Sequence, residues 1–319
     1  MTAKGERMNQ SATMKRIATR TADEVREHRQ TKFDRTARIG KAQIQYGPVS
    51  DRVYVMRWNG ADPEHVLPRL QSLAESENLG KIIAKIPNSV APGFLDAGYR
   101  LEAGIPGYYG GREAAVFMGR YPDRSRRHPE NREKLEHVLI LAAQNASESE
   151  GDVADFKSPD LELREATRDD IGQMATIYRK VFETYPFPIH EPAYLLDTMN
   201  QDVRYFAAVA GDRLVALSSA EMDPKRLGVE MTDFATLPEW RGRGLASLLL
   251  DKMEIAMRQS GMRTAYTIAR APSAGINIVF ARKGYDFGGT LVNNTNIAGT
   301  IESMNVWHKN LAESGVKSY

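Results

Sequence analysis

The segment from Glu230 to Met253, EMTDFATLPEWRGRGLASLLLDKM, places a strand, a basic glycine-containing turn and a helix in immediate succession. Alternation of apolar and polar residues predicts a half-buried strand before the turn, and an apolar period of 3.6 residues predicts a helix after it. Free backbone N–H groups and the positive end of the helix dipole converge at such a turn, so it is suited to hold phosphate. We therefore expect the rest of the chain to be organised around a phosphate-binding turn.

The composition limits the class of protein. The chain has 319 residues, of which 42% are hydrophobic, so it can form two domains with separate cores. The longest uninterrupted apolar run is Val138 to Ala143, and no apolar leader begins the chain, which predicts a cytoplasmic protein without a membrane span. The absence of cysteine fits a reducing compartment and excludes thiol chemistry, and the six histidines form no close pair typical of a metal site.

Charge and breaker residues divide the chain into five segments. Residues 1–41 carry eleven Lys or Arg and five Asp or Glu, and this arm is interpreted as a solvated tail because it lacks interleaved aromatic residues, with nucleic-acid binding as the alternative. The stretch NASESEGDVADFKSPD is acidic and rich in small residues, as linkers are. The predicted organisation is a disordered basic tail (1–36), an N-terminal α/β domain (37–144), an acidic linker (145–160), a second α/β domain (161–313) and a short tail (314–319).

Within the two domains the sequence predicts strands and helices that alternate. Asp62 is suited to cap a helix that starts at Pro63, and the helix after the phosphate turn is expected to span Leu245 to Gln259. The strand RLEAGI is expected to end at a glycine-rich loop, and GD is expected to join two strands as a hairpin. This order of elements predicts a mixed α/β sheet.

An internal similarity predicts a tandem build. Phe94 to Ile105, FLDAGYRLEAGI, matches Phe280 to Leu291, FARKGYDFGGTL, in the Phe, the Gly-Tyr pair and the last aliphatic residue. Each stretch follows a buried strand and a helix, so we interpret the first as a degenerate duplicate of the second. The first copy has no counterpart of the RGRGLA turn, so the phosphate site is expected in the second half only.

Three residues of the turn, Arg241, Gly244 and Ala246, fit the pattern Arg/Gln-x-x-Gly-x-Gly/Ala. Together with the later segment SAGINIVFARKGY, this resembles the acetyl-CoA-binding motif of the GNAT family of N-acetyltransferases. The resemblance implies a GNAT acyl-CoA N-acyltransferase fold, preceded here by a smaller, degenerate GNAT-like α/β domain, with acetyl-CoA as cosubstrate and no metal. The residues it implies for acetyl-CoA are Phe234, Ala235 and Thr236 beside the pantetheine arm and thioester, Arg241, Gly242, Arg243, Gly244, Leu245 and Ala246 around the pyrophosphate, and Ser273 and Asn277 in the later segment. For Asn277 an exposed position on the helix is the alternative.

Longer stretches narrow the resemblance. TDFATLPEWRGRGLAS, YTIARAPSAGIN and NNTNIAGTIESMNVWHKNL, preceded by a domain with IGKAQIQYGPVSDRVYVM and AGIPGYYGGREAAVFM, are similar to the beta-lysine N-acetyltransferases of bacteria and archaea over roughly residues 37–311. This similarity implies transfer of acetyl to the N6 amine of beta-lysine, which yields a compatible solute for osmoadaptation, and a functional link to lysine 2,3-aminomutase. A membrane or nucleic-acid partner is not expected, and a homodimer is compatible with the sequence.

Acetyl transfer needs a base for the amine, and two acids on the strand are candidates. Glu230 and Asp233 lie three residues apart, so in an unbroken strand their side chains point to opposite faces and only one can face the substrate. Substrate binding without proton transfer is the alternative role for both. Backbone N–H groups near Phe234 to Thr236 are expected to polarise the thioester carbonyl.

The proton donor to the leaving thiolate is less defined by the sequence. Many relatives use a tyrosine where this chain has Phe280, which leaves Tyr285, Tyr266 or solvent as the source. A packed position in the Gly-Tyr turn is the alternative for Tyr285.

A zwitterionic substrate also needs partners for its carboxylate and second amine. Arg270 is predicted to bind the carboxylate because its planar fork can hold both oxygens. Other candidates around the acceptor are Phe187 and His190 in an aromatic loop, Tyr266, and the amides Asn293 and Asn294. A GNAT enzyme for a protein or another small amine, and a non-catalytic acyl-CoA-binding protein, remain as alternatives.

Overall fold

The computed structural model describes residues 33–146 and 161–312. Most of the predicted basic tail, most of the predicted linker and the C-terminal tail lie outside the described residues, and the first strand begins at Arg35, within the last residues assigned to the basic tail. In the first half the elements are β1 (Arg35–Ile39), β2 (Ala42–Gly47), β3 (Arg52–Arg57), α1 (Pro63–Ser76), β4 (Lys81–Pro87), α2 (Ala91–Asp96), β5 (Arg100–Tyr109), β6 (Glu113–Arg120) and α3 (Arg132–Ala146). In the second half they are β7 (Leu161–Glu165), α4 (Ile171–Val181), α5 (Pro192–Met199), β8 (Val203–Ala210), β9 (Arg213–Asp223), β10 (Gly228–Thr236), α6 (Leu245–Gln259), β11 (Thr264–Arg270), α7 (Ala274–Arg282), β12 (Asp286–Ile297) and β13 (Thr300–Asn310).

All strands of the described residues join one mixed sheet, so the predicted fold class is confirmed. The strand order is β1-β2-β3-β4-β6-β5-β12-β13-β11-β10-β9-β8-β7. In the first half β3 and β4 are parallel and β4 is antiparallel to β6, and in the second half β10 and β11 are parallel and β11 is antiparallel to β13. Six strands of each half therefore follow the same order, and the two copies meet through their β5 and β12 strands.

Side-chain packing repeats between the two halves as well. Phe94 and Tyr99 form an edge-to-face pair with ring centroids 5.0 Å apart, and Phe280 and Tyr285 form the same kind of pair at 4.9 Å. Gly98 and Gly284, before each tyrosine, both have a positive φ, of 79° and 71°. The similarity of the two sequence stretches thus reflects one repeated turn and one repeated aromatic contact.

The junction between the halves depends on glycine. β5 and β12 pair antiparallel with Gly289 opposite Ala103. Gly289 has a φ of +132°, and a Cβ there would lie 2.2 Å from the carbonyl oxygen of Glu102 and 2.7 Å from Cα of Ala103. Because both contacts are with backbone, the strands could accept a side chain only by moving apart.

We expect Gly289→Ala to lower the free energy of unfolding by about 2 kcal/mol or more, through backbone strain and overpacking. The matched control is Gly172→Ala in α4, where a Cβ meets no atom within 4 Å. Alanine is the better helix former, so this control should leave the melting temperature unchanged or raise it. Equal melting temperatures for both variants would contradict the role given to Gly289.

The helix α3 shows where the predicted domain limits differ from the packing. The sequence places this helix in the first domain, but its Ala142 is fully buried in the core of the second half, which includes Phe280 and Ala281 of α7. The guanidinium of Arg282 donates to Oδ1 of Asn145 at the end of the same helix. No helix among residues 33–146 and 161–312 has the length and apolarity needed to cross a membrane.

Candidate active site

A cavity of about 1040 Å³ lies where the first half of the chain faces the strands β10 and β11. The first half contributes Arg52, Tyr54, Arg57, Lys85 and Tyr108 to its walls. The second half contributes the loop after α4, the ends of β9, β10 and β11, and the turn before α6. Residues of both halves of the chain therefore form the walls of this cavity.

The strands β10 and β11 separate inside this cavity. Their parallel pairing covers only Gly228 to Glu230, where Glu230 lies opposite Tyr266. Beyond Glu230 the edge of β10 that faced β11 pairs with no strand of the described sheet, because the other edge continues on β9. The N–H groups from Phe234 to Thr236 thus lie on a strand with one side open to a ligand.

A bulge in β10 changes the direction of its side chains. The register with β9 shifts between Thr232 and Ala235, and Asp233 has a φ of 55°. The expectation for an unbroken strand, that only one of the two acids can face the substrate, does not apply across this bulge. Glu230, Asp233 and Phe234 all line the cavity, whereas Ala235 is buried in the core.

The turn before α6 has the form of an anion site. Gly242 and Gly244 have φ values of +77° and +73°, and a Cβ on either residue would meet no atom within 4 Å. Gly244 is the N-cap of α6, and no side chain caps the helix. The first-turn N–H groups have no intrahelical acceptor, so they are available to phosphate oxygens.

Most residues expected around acetyl-CoA line the same cavity. They are Phe234, Thr236, Arg241, Gly242, Gly244, Leu245, Ala246 and Ser273. Arg243 instead stacks its guanidinium on Trp240, 4.5 Å from the ring centroid, outside the lining. The residues present therefore fit a pyrophosphate at the turn and an extended arm along β10.

Three carboxylates meet at the open part of β10. Glu221 of β9 is the direct cross-strand neighbour of Glu230, and both line the cavity with Asp233. Like charges opposite one another destabilise a sheet, so this pair has a cost that a cationic ligand would offset. The cluster suits a substrate that carries ammonium groups.

The three carboxylates differ in their hydrogen bonds. Asp233 accepts from Ser219 at 2.6 Å on one oxygen and from Tyr185 on the other. Glu230 accepts from the Tyr266 hydroxyl at 2.6 Å on Oε2, and Lys85 donates to the same hydroxyl at 2.7 Å. Among the described residues no donor bonds Oε1 of Glu230, so this oxygen can receive a proton.

Burial affects the pKa of all three acids. It raises the pKa of Glu230 above the ordinary carboxyl range, against the opposing effects of Lys85 and of the Tyr266 hydrogen bond. Burial also raises the pKa of Asp233, opposed by its hydrogen bonds from Ser219 and Tyr185. Although the side chain of Glu221 reaches the solvent of the cavity, the surrounding protein and the charges of Glu230 and Asp233 raise its pKa to about 8. Raised values make these carboxylates stronger bases than free ones.

Several residues predicted for the site lie elsewhere. Tyr285 is 3% exposed and packs in the core against Phe280, outside the cavity lining, so it is not placed to protonate a thiolate there. The Nε2 atom of His190 lies 3.4 Å from Glu191, also outside the lining. Phe187 and Tyr266 do line the cavity.

Asn277 is neither on an exposed face nor at the cavity. It is fully buried, donates to the carbonyls of Arg270 and Ser273, and accepts from Asn305 and Trp307. All its hydrogen-bonding capacity holds α7 to β11 and β13, so none remains for a pantetheine arm.

Arg270, predicted to bind the substrate carboxylate, and the amides Asn293 and Asn294, predicted around the acceptor, differ in their positions. Arg270 lines the cavity, but Nε and Nη2 donate to the two carboxylate oxygens of Glu302 at 2.8 and 2.7 Å. Its fork is therefore already used. Asn293, in an irregular part of β12, donates to the carbonyls of Arg126 and His128, whereas Asn294 is 3% exposed and lines the cavity.

Among the cavity residues to which the sequence assigned no role are Glu221, Lys85, Tyr185 and Arg52. Of these, Lys85 could have been recognised from the sequence, because a lysine in the apolar strand KIIAKI needs a buried partner. Glu221 could be found only with the register of β9 on β10. In the described ranges, no three His, Asp or Glu side chains are grouped as ligands for a metal ion.

Comparisons with known proteins agree with this geometry. The model of the Acetyltransferase (GNAT) family matches residues 172–287. The beta-lysine N(6)-acetyltransferase of Methanococcus maripaludis is 38% identical over 278 residues, which cover 87% of this chain and 99% of the relative. The N-acetyltransferase YodP of Bacillus subtilis is 35% identical over 85% of this chain and 96% of its own, and the beta-lysine N(6)-acetyltransferase of Methanosarcina mazei is 32% identical over 76% and 96%. The chain therefore belongs to the GNAT family and is an N-acetyltransferase.

Proposed function

We propose that this enzyme transfers the acetyl group of acetyl-CoA directly to the N6 amine of beta-lysine. The observation that carries the proposal is the continuity of the phosphate-binding turn and the carboxylate cluster in one cavity. The relatives named for this substrate match along 87% and 76% of the chain, including the first half, which supplies one wall of that cavity. The same resemblance implies a compatible-solute role and a supply of beta-lysine by an aminomutase, and the proposal includes the cytoplasmic location expected from the composition.

Different parts of the cavity would bind different parts of acetyl-CoA. The turn from Arg241 to Ala246 would hold the pyrophosphate, and the open edge of β10 near Phe234 would bind the pantetheine arm and polarise the thioester carbonyl. Acetyl-CoA supplies the activated acyl group. Release of the thiolate, with a pKa near 8.5, needs no dedicated acid.

Glu230 is the base in this proposal. A free ε-amine has a pKa of about 10.4, so its deprotonation near pH 7 costs about 4–5 kcal/mol and needs an acceptor beside it. Glu230 lines the cavity at the point where β10 and β11 separate, and its Oε1 accepts no hydrogen bond from the described residues, while both oxygens of Asp233 already accept hydrogen bonds. Asp233 would attract the diammonium substrate, and Glu221, with its pKa raised to about 8, would add to this attraction when it ionises beside the ammonium group.

The test is a steady-state assay of thiol release with acetyl-CoA and separate amines, namely beta-lysine, lysine and spermidine. Beta-lysine should have the highest kcat/KM, and mass spectrometry should place a single acetyl on its N6 nitrogen. Equal or faster reaction of lysine or spermidine would overturn the substrate assignment. Binding of acetyl-CoA without turnover of any of the three amines would also overturn it.

A further inference from the structure

The side chain of Arg52, from the first half of the chain, has an unusual environment. It is 4% exposed and lines the cavity, and among the described residues no carboxylate forms an ion pair with it. Two other interdomain or cavity arginines, Arg126 and Arg270, are paired with Asp51 and Glu302. Burial lowers the pKa of Arg52 to about 10, as expected for a guanidinium that lacks a counter-ion.

The hydrogen bonds of Arg52 use only one side of its fork. Nη1 donates to the carbonyl of Asn294 and to the hydroxyl of Thr295, both at 2.8 Å. Nη2 has a long contact of 3.5 Å with Gln45, and Nε is buried without a partner. The Nε–Nη2 edge of a guanidinium matches the two oxygens of a carboxylate, and a buried donor left alone costs about 1–3 kcal/mol.

A second buried polar atom without a hydrogen bond belongs to Asn294, a residue that Arg52 contacts. Oδ1 of Asn294 is buried without a hydrogen bond, although the carbonyl of the same residue accepts from Arg52. Asn294 also lines the cavity. A guanidinium edge that has only the long contact with Gln45 and a buried amide oxygen without a hydrogen bond together complement a carboxylate with a nearby ammonium group.

We propose that Arg52 and Asn294 form the subsite that binds the carboxylate and the neighbouring ammonium of an amino-acid substrate. This inference rests on the proposed function, because it assigns the acidic end of the same substrate. In this proposal Arg52 takes the role predicted for Arg270, whose guanidinium is bound to Glu302. The first half of the chain would then select amino acids over simple diamines. Gln45 connects this subsite to the acceptor loop, since its Nε2 donates to the carbonyl of Pro186 at 3.0 Å.

The test uses three amines that differ in the groups recognised. Beta-lysine carries the carboxylate and both amines, 6-aminohexanoate lacks the second amine, and pentane-1,4-diamine lacks the carboxylate. Each is assayed with acetyl-CoA and the full-length wild type, Arg52→Lys and Arg126→Lys. Arg126 is the matched control because it is also a buried arginine that bonds β12, through the carbonyl of Asn293, but lies outside the cavity lining.

Arg52→Lys should lower kcat/KM for beta-lysine and for 6-aminohexanoate by about 10- to 100-fold, the range expected when a bidentate charge-assisted contact is lost. The rate with pentane-1,4-diamine should change by less than about threefold, and Arg126→Lys should leave the ratios between the three amines unchanged. Because each ratio is measured within one preparation, a smaller folded fraction does not alter it.

An equal loss of rate with beta-lysine and with pentane-1,4-diamine in Arg52→Lys would overturn the subsite, even if wild-type beta-lysine turnover were fast. A wild-type enzyme that does not acetylate beta-lysine would instead overturn the proposed function, and the subsite with it. The Arg52→Lys variant therefore tests the subsite, and the wild-type enzyme tests the proposed function.

Discussion

Replacement of Glu230 by glutamine is expected to lower kcat/KM for the amine by about 10²- to 10³-fold at pH 7, the usual contribution of a positioned general base. Glutamine keeps the size of the side chain and can still accept from the Tyr266 hydroxyl, so the loss is one of basicity. The deficit should shrink as the pH rises toward the pKa of the free amine, about 10.4, because the substrate then arrives already deprotonated.

The comparison with Asp233→Asn separates the two acids of β10. Asp233 is held by Ser219 and Tyr185, so its replacement should raise KM for the amine and affect kcat less. Wild-type kcat/KM in Glu230→Gln, together with a large fall in Asp233→Asn, would move the base to Asp233. Full activity of both variants at neutral pH would show that neither carboxylate accepts the proton.

The second large effect is expected at the phosphate-binding turn. Gly244→Val should raise KM for acetyl-CoA by about 10- to 100-fold, because a β-branched residue cannot adopt a φ of +73° without moving the N–H groups at the start of α6. The KM for the amine should remain near its wild-type value, since the acceptor side of the cavity is untouched.

Gly261→Val is the control for this variant. Gly261 follows the other end of α6 and has a φ of +78°, and a Cβ on this residue would likewise meet no atom within 4 Å. Both variants should lose similar stability in thermal unfolding, but only Gly244→Val should weaken acetyl-CoA binding. Similar increases in KM for both would indicate a general effect of strain on the helix.

Local patterns were sufficient for many elements of the fold. The helix α6 spans Leu245–Gln259 as expected, and α1 starts at Pro63 with Asp62 as its N-cap, whose side chain accepts from the N–H of Glu64. These features depend on periodicity and capping within a few residues. The turn before α6 could be predicted for the same reason.

Features that depend on distant partners could not be predicted. The strand β5 continues past Gly107 to Tyr109, because it pairs with β6 across a bulge, and of the glycines in the expected loop only Gly110 and Gly111 lie in the turn. The bulge at Asp233 leaves no mark in the sequence MTDFAT, yet it brings two acids into one cavity. Likewise, Glu302 is 32 residues from Arg270, so its occupation of that fork is visible only in three dimensions.

The largest difference between expectation and structure is the contribution of the first half of the chain to the cavity. Its role could not be read from residues that lack the phosphate-binding turn. In the sheet it repeats the strand order of the second half and supplies Lys85 and Arg52 to the shared cavity. The first half thus lacks the acetyl-CoA motif and supplies a wall of the proposed substrate site.

The central claim is that one active site is built from both halves, and the pH dependence of kcat/KM for the amine in Lys85→Met tests it most directly. Lys85 lowers the pKa of Glu230, so without it the pKa should rise and the acidic limb of the profile should move to higher pH. Lys85→Arg, which keeps the charge, should shift the limb less. Profiles that superimpose on wild type in both variants would contradict the claim, because the first half would then have no influence on the catalytic base.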